Sequence, residues 1–206
     1  MKRIDALTGK GSGRDLLIIG GGFSVESFEF AKLPISTDTM TLNDSLYFED
    51  GFHLIYPTFL MYYDANMIRV LKKMKIPAQT KVIGYNNSYW EGIDYDYRLS
   101  DVHPSKMWDN LAVKAIVIAK KIMAYENIFL IGVDFNTRKV GEKLTSHYQG
   151  EAIGLGLKYS DEMHYKTHIE NLDKRVEEFE KIKDIPNVWN CSMESKLKIF
   201  GHKLPY

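Results

Sequence analysis

Apolar residues arrive along the chain in two kinds of run. Four are short: Asp15–Ile19 (DLLII), Lys81–Ile83 and Asn127–Ile131 (NIFLI) are unbroken after a polar first residue, and Asp38–Leu42 (DTMTL) interleaves Thr with Met and Leu. Their length, with charge confined to the first position, predicts strands buried on both faces. Each stops at Gly, Asn or Asp: Gly20-Gly21-Gly22, Asn43-Asp44, Gly84-Tyr85-Asn86-Asn87 and Gly132-Val133-Asp134. Between them the spacing turns helical, over Asp64–Lys75 through Met67, Val70, Leu71 and Met74, and over Asp109–Met123 through Ala112, Ile116, Ala119 and Met123. A last helical stripe, Ile169, Leu172, Val176, Phe179 and Ile182, is closed by Asp184 and Pro186 before a short strand at Val188–Asn190. A further helix is expected directly after the triglycine. This alternation predicts an α/β fold, a Rossmann-like, mostly parallel sheet with helices on both faces and a small lid. In such sheets ligands lie beyond the carboxyl ends of the strands, where the Gly, Asn and Asp residues collect.

Three stretches fall outside the alternation. Met1–Arg14 is charged and broken by Gly9, Gly11 and Gly13, and reads as a flexible leader (1–14) to a single nucleotide-binding domain, 15–206. Tyr85–Pro104 is rich in aromatic side chains able to stack on a sugar or base, or to form a minor core. Asn136–Met163 carries Gly141, Gly150, Gly154 and Gly156 and is long for a connection, which marks a lid over about 136–163.

Composition narrows the function classes. With 206 residues, 45% of them apolar, the chain can bury one sizeable core. Its 27 basic and 27 acidic groups cancel, so no whole-molecule field draws it to nucleic acid, which is disfavoured as a partner. No run approaches the length of a membrane span. The one cysteine, Cys191, excludes an internal disulfide framework and a thiolate zinc cluster, reads as a small buried residue, and fits a reducing compartment, so cytoplasm is the expected location.

Two motifs carry candidate chemistry. Gly20-Gly21-Gly22-Phe23-Ser24 could let backbone N–H groups approach a phosphate, or could serve only close packing. Val25 stands where a dinucleotide fingerprint needs a third glycine, and Asn43 where it needs an acid, which argues against a nicotinamide enzyme. In His164-Tyr165-Lys166-Thr167-His168 two imidazoles stand four residues apart before the last helix. A zinc peptidase would need Glu where Tyr165 stands. A histidine at a helix N-terminus stays neutral and can accept a proton, so His168 reads as a general base; solvated or capping histidines are the alternative.

In order along the chain, Gly20-Gly21-Gly22-Phe23-Ser24, Leu42-Asn43, Ile128-Phe129-Leu130-Ile131-Gly132-Val133-Asp134-Phe135, His164-Tyr165-Lys166-Thr167-His168, and Asn190-Cys191-Ser192 through Lys196-Leu197 resemble bacterial lipooligosaccharide sialyltransferases. The resemblance extends to their wider kin, the motility accessory factor glycosyltransferases and the archaeal 6-hydroxymethylpterin diphosphokinases, and spans Leu16 to Phe200. It implies a metal-independent, inverting glycosyltransferase with a CMP-sugar donor as co-substrate, a hydroxyl acceptor, and no required cofactor. His168 is then the base, with His164 and Tyr165 beside it, and Gly20, Gly22, Ser24 and Asn43 hold the nucleotide. Gly21, Tyr148 and Tyr165 are candidates to face the departing phosphate together with Gly22, and Asp134 lies at the same strand ends. The chain departs from the family at Gly21, where Asn is usual, at Asn110-Leu111-Ala112-Val113, where Ser/Thr-Ser-Gly is usual, at Asp109 in place of Arg, and at Asn136 in place of Tyr. These departures bear on donor identity. Rival readings are a Mg²⁺-dependent diphosphokinase of a pterin-like alcohol using Asp44, Asp64 or Asp134, a phage-type nucleobase-modifying glycosyltransferase, and a nucleotide-binding module without catalysis. Oligomeric state is left open, homo-oligomers included.

Overall fold

The computed structural model describes residues 1–43, 45, 47–48, 51–52, 55–63, 67–85, 90–102, 110–140, 143–145 and 170–206. In chain order its strands are β1 (Lys2–Arg3), β2 (Asp15–Ile19), β3 (Asp38–Leu42), β4 (Tyr47–Phe48), β5 (Gly51–Phe52), β6 (Phe59–Tyr62), β7 (Lys81–Tyr85), β8 (Tyr95–Tyr97), β9 (Asn127–Ile131), β10 (Arg138–Val140), β11 (Lys143–Thr145), β12 (Val188–Asn190) and β13 (Gly201–His202). The α-helices are α1 (Met67–Leu71), α2 (Leu99–Val102), α3 (Leu111–Lys121) and α4 (Leu172–Glu180). Nine strands form one sheet in the order β1-β8-β7-β6-β3-β2-β9-β12-β13, and every pairing in it is parallel. The expected α/β class is therefore the observed one. Two small antiparallel hairpins, β4–β5 and β10–β11, stand apart from the sheet. The second falls within the expected lid, whose remaining residues from 146 to 163 lie outside the described residues.

The unbroken apolar runs are explained by cover on both faces. Alternate residues of a strand point to opposite sides. Leu16, Ile18, Met40, Ile128 and Leu130 pack on the side that carries Val113, Ile116 and Val117 of α3 and Phe179 of α4. Leu17, Ile19, Phe129 and Ile131 pack on the other, against Val25, Phe28 and Cys191, and Leu60, Tyr62 and Val82 meet Met67, Val70 and Leu71 of α1. Helix α3 starts where the Asn110 side chain accepts from the Ala112 N–H at 2.9 Å, and it ends on Lys120 and Lys121, cations at the favourable end of the helix dipole.

Three expectations need correction. The triglycine is followed by 3₁₀ turns, Phe23–Ser27 and Phe30–Lys32, and not by an α-helix. Ser24 is held by a neighbouring loop, Phe28 turns inward to the core, and Pro34 follows closely, so a continuous helix has neither the freedom nor the length to form. Strands β6 and β8 lie where no strand was expected, the second inside the aromatic stretch 85–104, where Tyr97 is a core residue and its hydroxyl donates to the Tyr62 carbonyl at 3.4 Å.

The leader is also tied down. Strand β1 pairs with β8, Arg3 bridges Asp96 at 3.0 Å and Asp101 at 2.6 Å, and Ile4 and Leu7 are buried. The N–H groups of Gly9 and Gly11 donate to the Ile122 and Met123 carbonyls at 2.9 and 2.7 Å. Gly11 lies so flat on the Tyr125 ring that a β-carbon there would come within 2.5 Å of it. Two of the glycines that read as looseness, Gly9 and Gly11, are contact points.

Beneath Gly11, the Tyr125 hydroxyl donates to Asp38 at 2.7 Å while Arg14 holds the other Asp38 oxygen at 2.8 Å. Tyr125→Phe leaves one oxygen of this buried carboxylate without that donor and is expected to cost about 1–3 kcal/mol. Urea unfolding reads the loss as a lower midpoint at unchanged slope; an unchanged midpoint would show that the bond contributes nothing.

Candidate functional site

Sheet growth reverses at β2. From β2 the chain adds β3, β6, β7 and β8 on one side, then returns to lay β9 and β12 on the other. In parallel sheets the loops that leave such a reversal usually part and open a ligand crevice; here the two loops that follow β2 and β9 stay hydrogen-bonded over their first residues. Those two loops are Gly20–Ser24 and Gly132–Phe135.

Glycine lets them touch backbone to backbone. Gly20 N–H donates to the Ile131 carbonyl at 2.8 Å and Gly22 N–H to the Gly132 carbonyl at 2.7 Å, carrying the sheet ladder past the strand ends. A β-carbon on Gly20 would lie 2.4 Å from the Gly132 oxygen, and one on Gly132 would lie 2.3 Å from the Gly20 oxygen. Gly132 also has φ +69, a left-handed conformation that side chains disfavour. A β-carbon on Gly22 would stand 2.5 Å from the Asp134 carboxylate.

Ser24 and Asp134 lock the junction. Ser24 donates its hydroxyl to Asp134 Oδ1 at 2.6 Å and its N–H to Oδ2 at 2.7 Å, and its Oγ accepts from the Gly132 N–H at 2.9 Å. Asp134 is 3% exposed. Burial holds its carboxyl above the ordinary value of 3.8; the two Ser24 hydrogen bonds oppose that rise and the nearby Glu194 adds to it. The next residue, Phe135, adopts φ +55 with its ring edge-on to Phe179 at 5.5 Å. Such a backbone persists only where packing enforces it, and it concentrates at functional sites. From β12, Ser195 Oγ donates to the Val133 carbonyl at 3.1 Å and Lys196 N–H to the Asp134 carbonyl at 2.9 Å, bracing the loop from below.

The structure thus brings Gly20, Gly21, Gly22, Ser24 and Asp134 together. It also shows their donors largely spent: the N–H groups of Gly20, Gly22 and Ser24 and the Ser24 hydroxyl all serve the neighbouring loop, while Gly21 N–H lies outside this network. Close packing accounts for the outer glycines. Asn43 ends the adjacent strand at φ +55 with its N–H on the Met61 carbonyl at 2.8 Å; its Oδ1, like Thr41 Oγ1, is buried with no hydrogen-bond partner. His164, Tyr165, His168 and Tyr148 lie outside the described residues, as do Asp44 and Asp64.

Beside the junction, at the ends of β9 and β12, a cavity of about 470 Å³ is walled by Phe23, Ser24, Asp134, Cys191, Glu194 and Tyr206 among others. Glu26 and Glu29 also line it, and among the described residues no Lys or Arg does. His202 Nε2 lies 3.3 Å from the Cys191 carbonyl oxygen. Burial pushes the Cys191 thiol up to about 12, so it is not a thiolate, as its sequence context predicted.

Sequence reasoning missed Lys114. It is 0% exposed, in the second turn of α3, with Nζ 3.3 Å from the centroid of the Tyr63 ring. The available signal was a single cation in LAVKAIVIA, a helix otherwise apolar all round.

No protein-family model matches the sequence, and no curated protein sequence does. Solved structures do resemble the fold. A monofunctional alpha-2,3-sialyltransferase, Cst-I from Campylobacter jejuni, is 17% identical with a TM-score of 0.59, over 93% of this chain and 81% of that one. The sialyltransferase CstII from Campylobacter jejuni with cytidine-5'-monophosphate is 16% identical with a TM-score of 0.56, over 93% and 86%. A variant of CST-II in complex with CMP is 17% identical with a TM-score of 0.60, over 93% and 87%.

Two outcomes test the junction. Gly132→Ala forces a β-carbon into the Gly20 carbonyl at a left-handed φ and is expected to destabilise by about 2–4 kcal/mol, read from urea midpoints; a change below measurement error would refute the close contact. Because the folded state raises the Asp134 carboxyl, its protonated form is favoured there, and the stability this adds is complete below pH 3.8 and lost as the pH climbs through the raised value. The stability advantage of wild type over Asp134→Asn should therefore shrink with rising pH. An advantage that grows would reverse the assignment.

Proposed function

We propose that this protein is a glycosyltransferase that takes a CMP-sugar as donor and a hydroxyl group as acceptor. Two observations support the reading: the fold is shared over 93% of the chain with sialyltransferases solved with CMP, and the glycine loop and Asn43 follow adjacent strands, β2 and β3, on the carboxyl edge where the sheet reverses. Asn43 Oδ1, a buried acceptor without a partner, suits a ribose hydroxyl or a base amine. The cavity beside Asp134, lined by carboxylates, suits a neutral hydrogen-bonding group such as a base or sugar and repels phosphate.

In this reading the acceptor oxygen attacks the anomeric carbon while the bond from that carbon to the phosphate oxygen breaks, and CMP leaves with the electron pair. Displacement from the opposite side inverts the anomeric centre. His168 takes the acceptor proton, a general-base role worth about 10²–10⁴ in rate. His164 and Tyr165 flank it, and Tyr148 and Gly21 are candidate phosphate contacts. No metal is needed if protein groups stabilise the leaving phosphate. The Mg²⁺-dependent diphosphokinase reading is less well supported, because both Asp134 oxygens already accept from Ser24. The sugar is left open, since the departures at Gly21, Ala112 and Asn136 fall among positions that the resemblance ties to donor recognition.

A thermal-shift screen of CMP, UDP, GDP and ATP, each with and without Mg²⁺, is expected to show stabilisation by CMP irrespective of the metal. Stabilisation by ATP and Mg²⁺ alone would transfer the protein to the diphosphokinase class. His168→Ala is expected to lower the transfer rate about 10²–10⁴-fold with CMP affinity unchanged; undiminished turnover would remove His168 from the mechanism.

A further inference from the structure

The face of the sheet opposite α3 holds two separate apolar clusters, one built on Leu17 and Ile19 of β2 with Val25 and Phe28, the other on Leu60 and Tyr62 of β6 with Met67, Val70 and Leu71 of α1. Strand β3 runs between them. Its Met40 and Leu42 point to the α3 side, so alternation turns Thr39 and Thr41 into the seam. The two threonines share a strand and a face, and they differ in one respect. Thr39 Oγ1 accepts from the Thr58 N–H at 3.1 Å, and the Thr39 N–H donates to Thr58 Oγ1 at 3.2 Å. Thr41, one step nearer the carboxyl edge, is 0% exposed, and its Oγ1 has no hydrogen-bond partner. Two residues on, Asn43 Oδ1 is buried in the same state.

A buried hydroxyl without a partner costs the free protein stability that a hydrogen bond would return, and nearly all buried polar groups in folded proteins are paired. Close packing does not require that cost, since valine has the same shape and carries none of it. The place of the unpaired hydroxyl fits a ligand. Thr41 pairs with Ile19, so the same register carried two residues further sets Gly21 beside Asn43, and the seam runs out between β2 and β3 at the loop whose Gly21 N–H lies outside the junction network. We infer that the Thr41 hydroxyl is a nucleoside-binding group: together with Asn43 Oδ1 it receives an N–H or O–H donor of the donor substrate's nucleoside, the base amine or a ribose hydroxyl. The inference rests on the nucleotide-sugar reading for the identity of the ligand. For the site it rests on the unpaired hydroxyl, its position at the strand end and its contrast with Thr39.

Calorimetry with CMP, cytidine, uridine and 2′,3′-dideoxycytidine on wild type, Thr41→Val and Thr41→Ser tests it, beside urea unfolding of each protein. Thr41→Val keeps the shape and removes the hydroxyl. Its unfolding midpoint is expected to equal or exceed that of wild type, while CMP and cytidine bind about fivefold or more weakly; Thr41→Ser is expected to stay within about twofold. A loss seen with cytidine and not with uridine assigns the base amine as the partner. A loss seen with cytidine and uridine but not with 2′,3′-dideoxycytidine assigns a ribose hydroxyl. Equal losses with all three nucleosides, or CMP and cytidine affinities unchanged in Thr41→Val, overturn the inference and leave the nucleotide reading standing. A lowered midpoint, or a Thr41→Val chain that does not fold, also overturns it, because a hydroxyl that stabilises the free protein is already paired. Wild type that binds neither CMP nor cytidine removes the nucleotide reading itself, and the inference with it.

Discussion

Everything at the carboxyl edge depends on two loops touching without side chains between them. Gly20 and Gly22 on one loop and Gly132 on the other allow hydrogen bonds of 2.8 and 2.7 Å to continue the β2–β9 ladder beyond the strands. At an ordinary doubly wound crevice the two loops would part at this level. Here they stay joined for one more step, and Ser24 and Asp134 clamp them. A buried carboxylate that accepts from one serine through both oxygens is a structural clamp first, and its raised protonation range is the consequence of the burial that makes the clamp rigid.

The chain is neutral overall, yet its charges are sorted at this edge. Carboxylates from the 3₁₀ turn and from the β9 and β12 loops surround the cavity, while the buried cation belongs to α3 on the opposite face of the sheet. Net charge conceals this, because it sums over positions that the fold separates.

Much of the architecture was legible in the residues. β2, β3, β9 and β12 have the bounds that the sequence pattern predicted, because strands covered on both faces favour apolar and β-branched side chains. Strand β6 and strand β8 were not legible. Phe59–Tyr62 is followed by Tyr63 and by Asp64, which reads as the start of the next helix, and Tyr95–Tyr97 reads as an aromatic loop until β7 and β1 pair with it. The leader was misread for the same reason: Gly9 and Gly11 look like flexibility until Tyr125 and the end of α3 supply the surfaces they lie on.

The amino-acid order by itself determined the α/β class, the buried strands, and the gathering of Gly, Asn and Asp at one edge, since these follow from local periodicity and turn chemistry. Tertiary structure alone decided which donors of the glycine loop are spent, that Ser24 belongs to Asp134 110 positions away, and that Lys114 is buried against Tyr63. Pattern along a chain reports the faces of single elements. Which polar groups satisfy one another, and which are left facing a ligand, depends on elements distant in sequence meeting in space, and no periodicity records that.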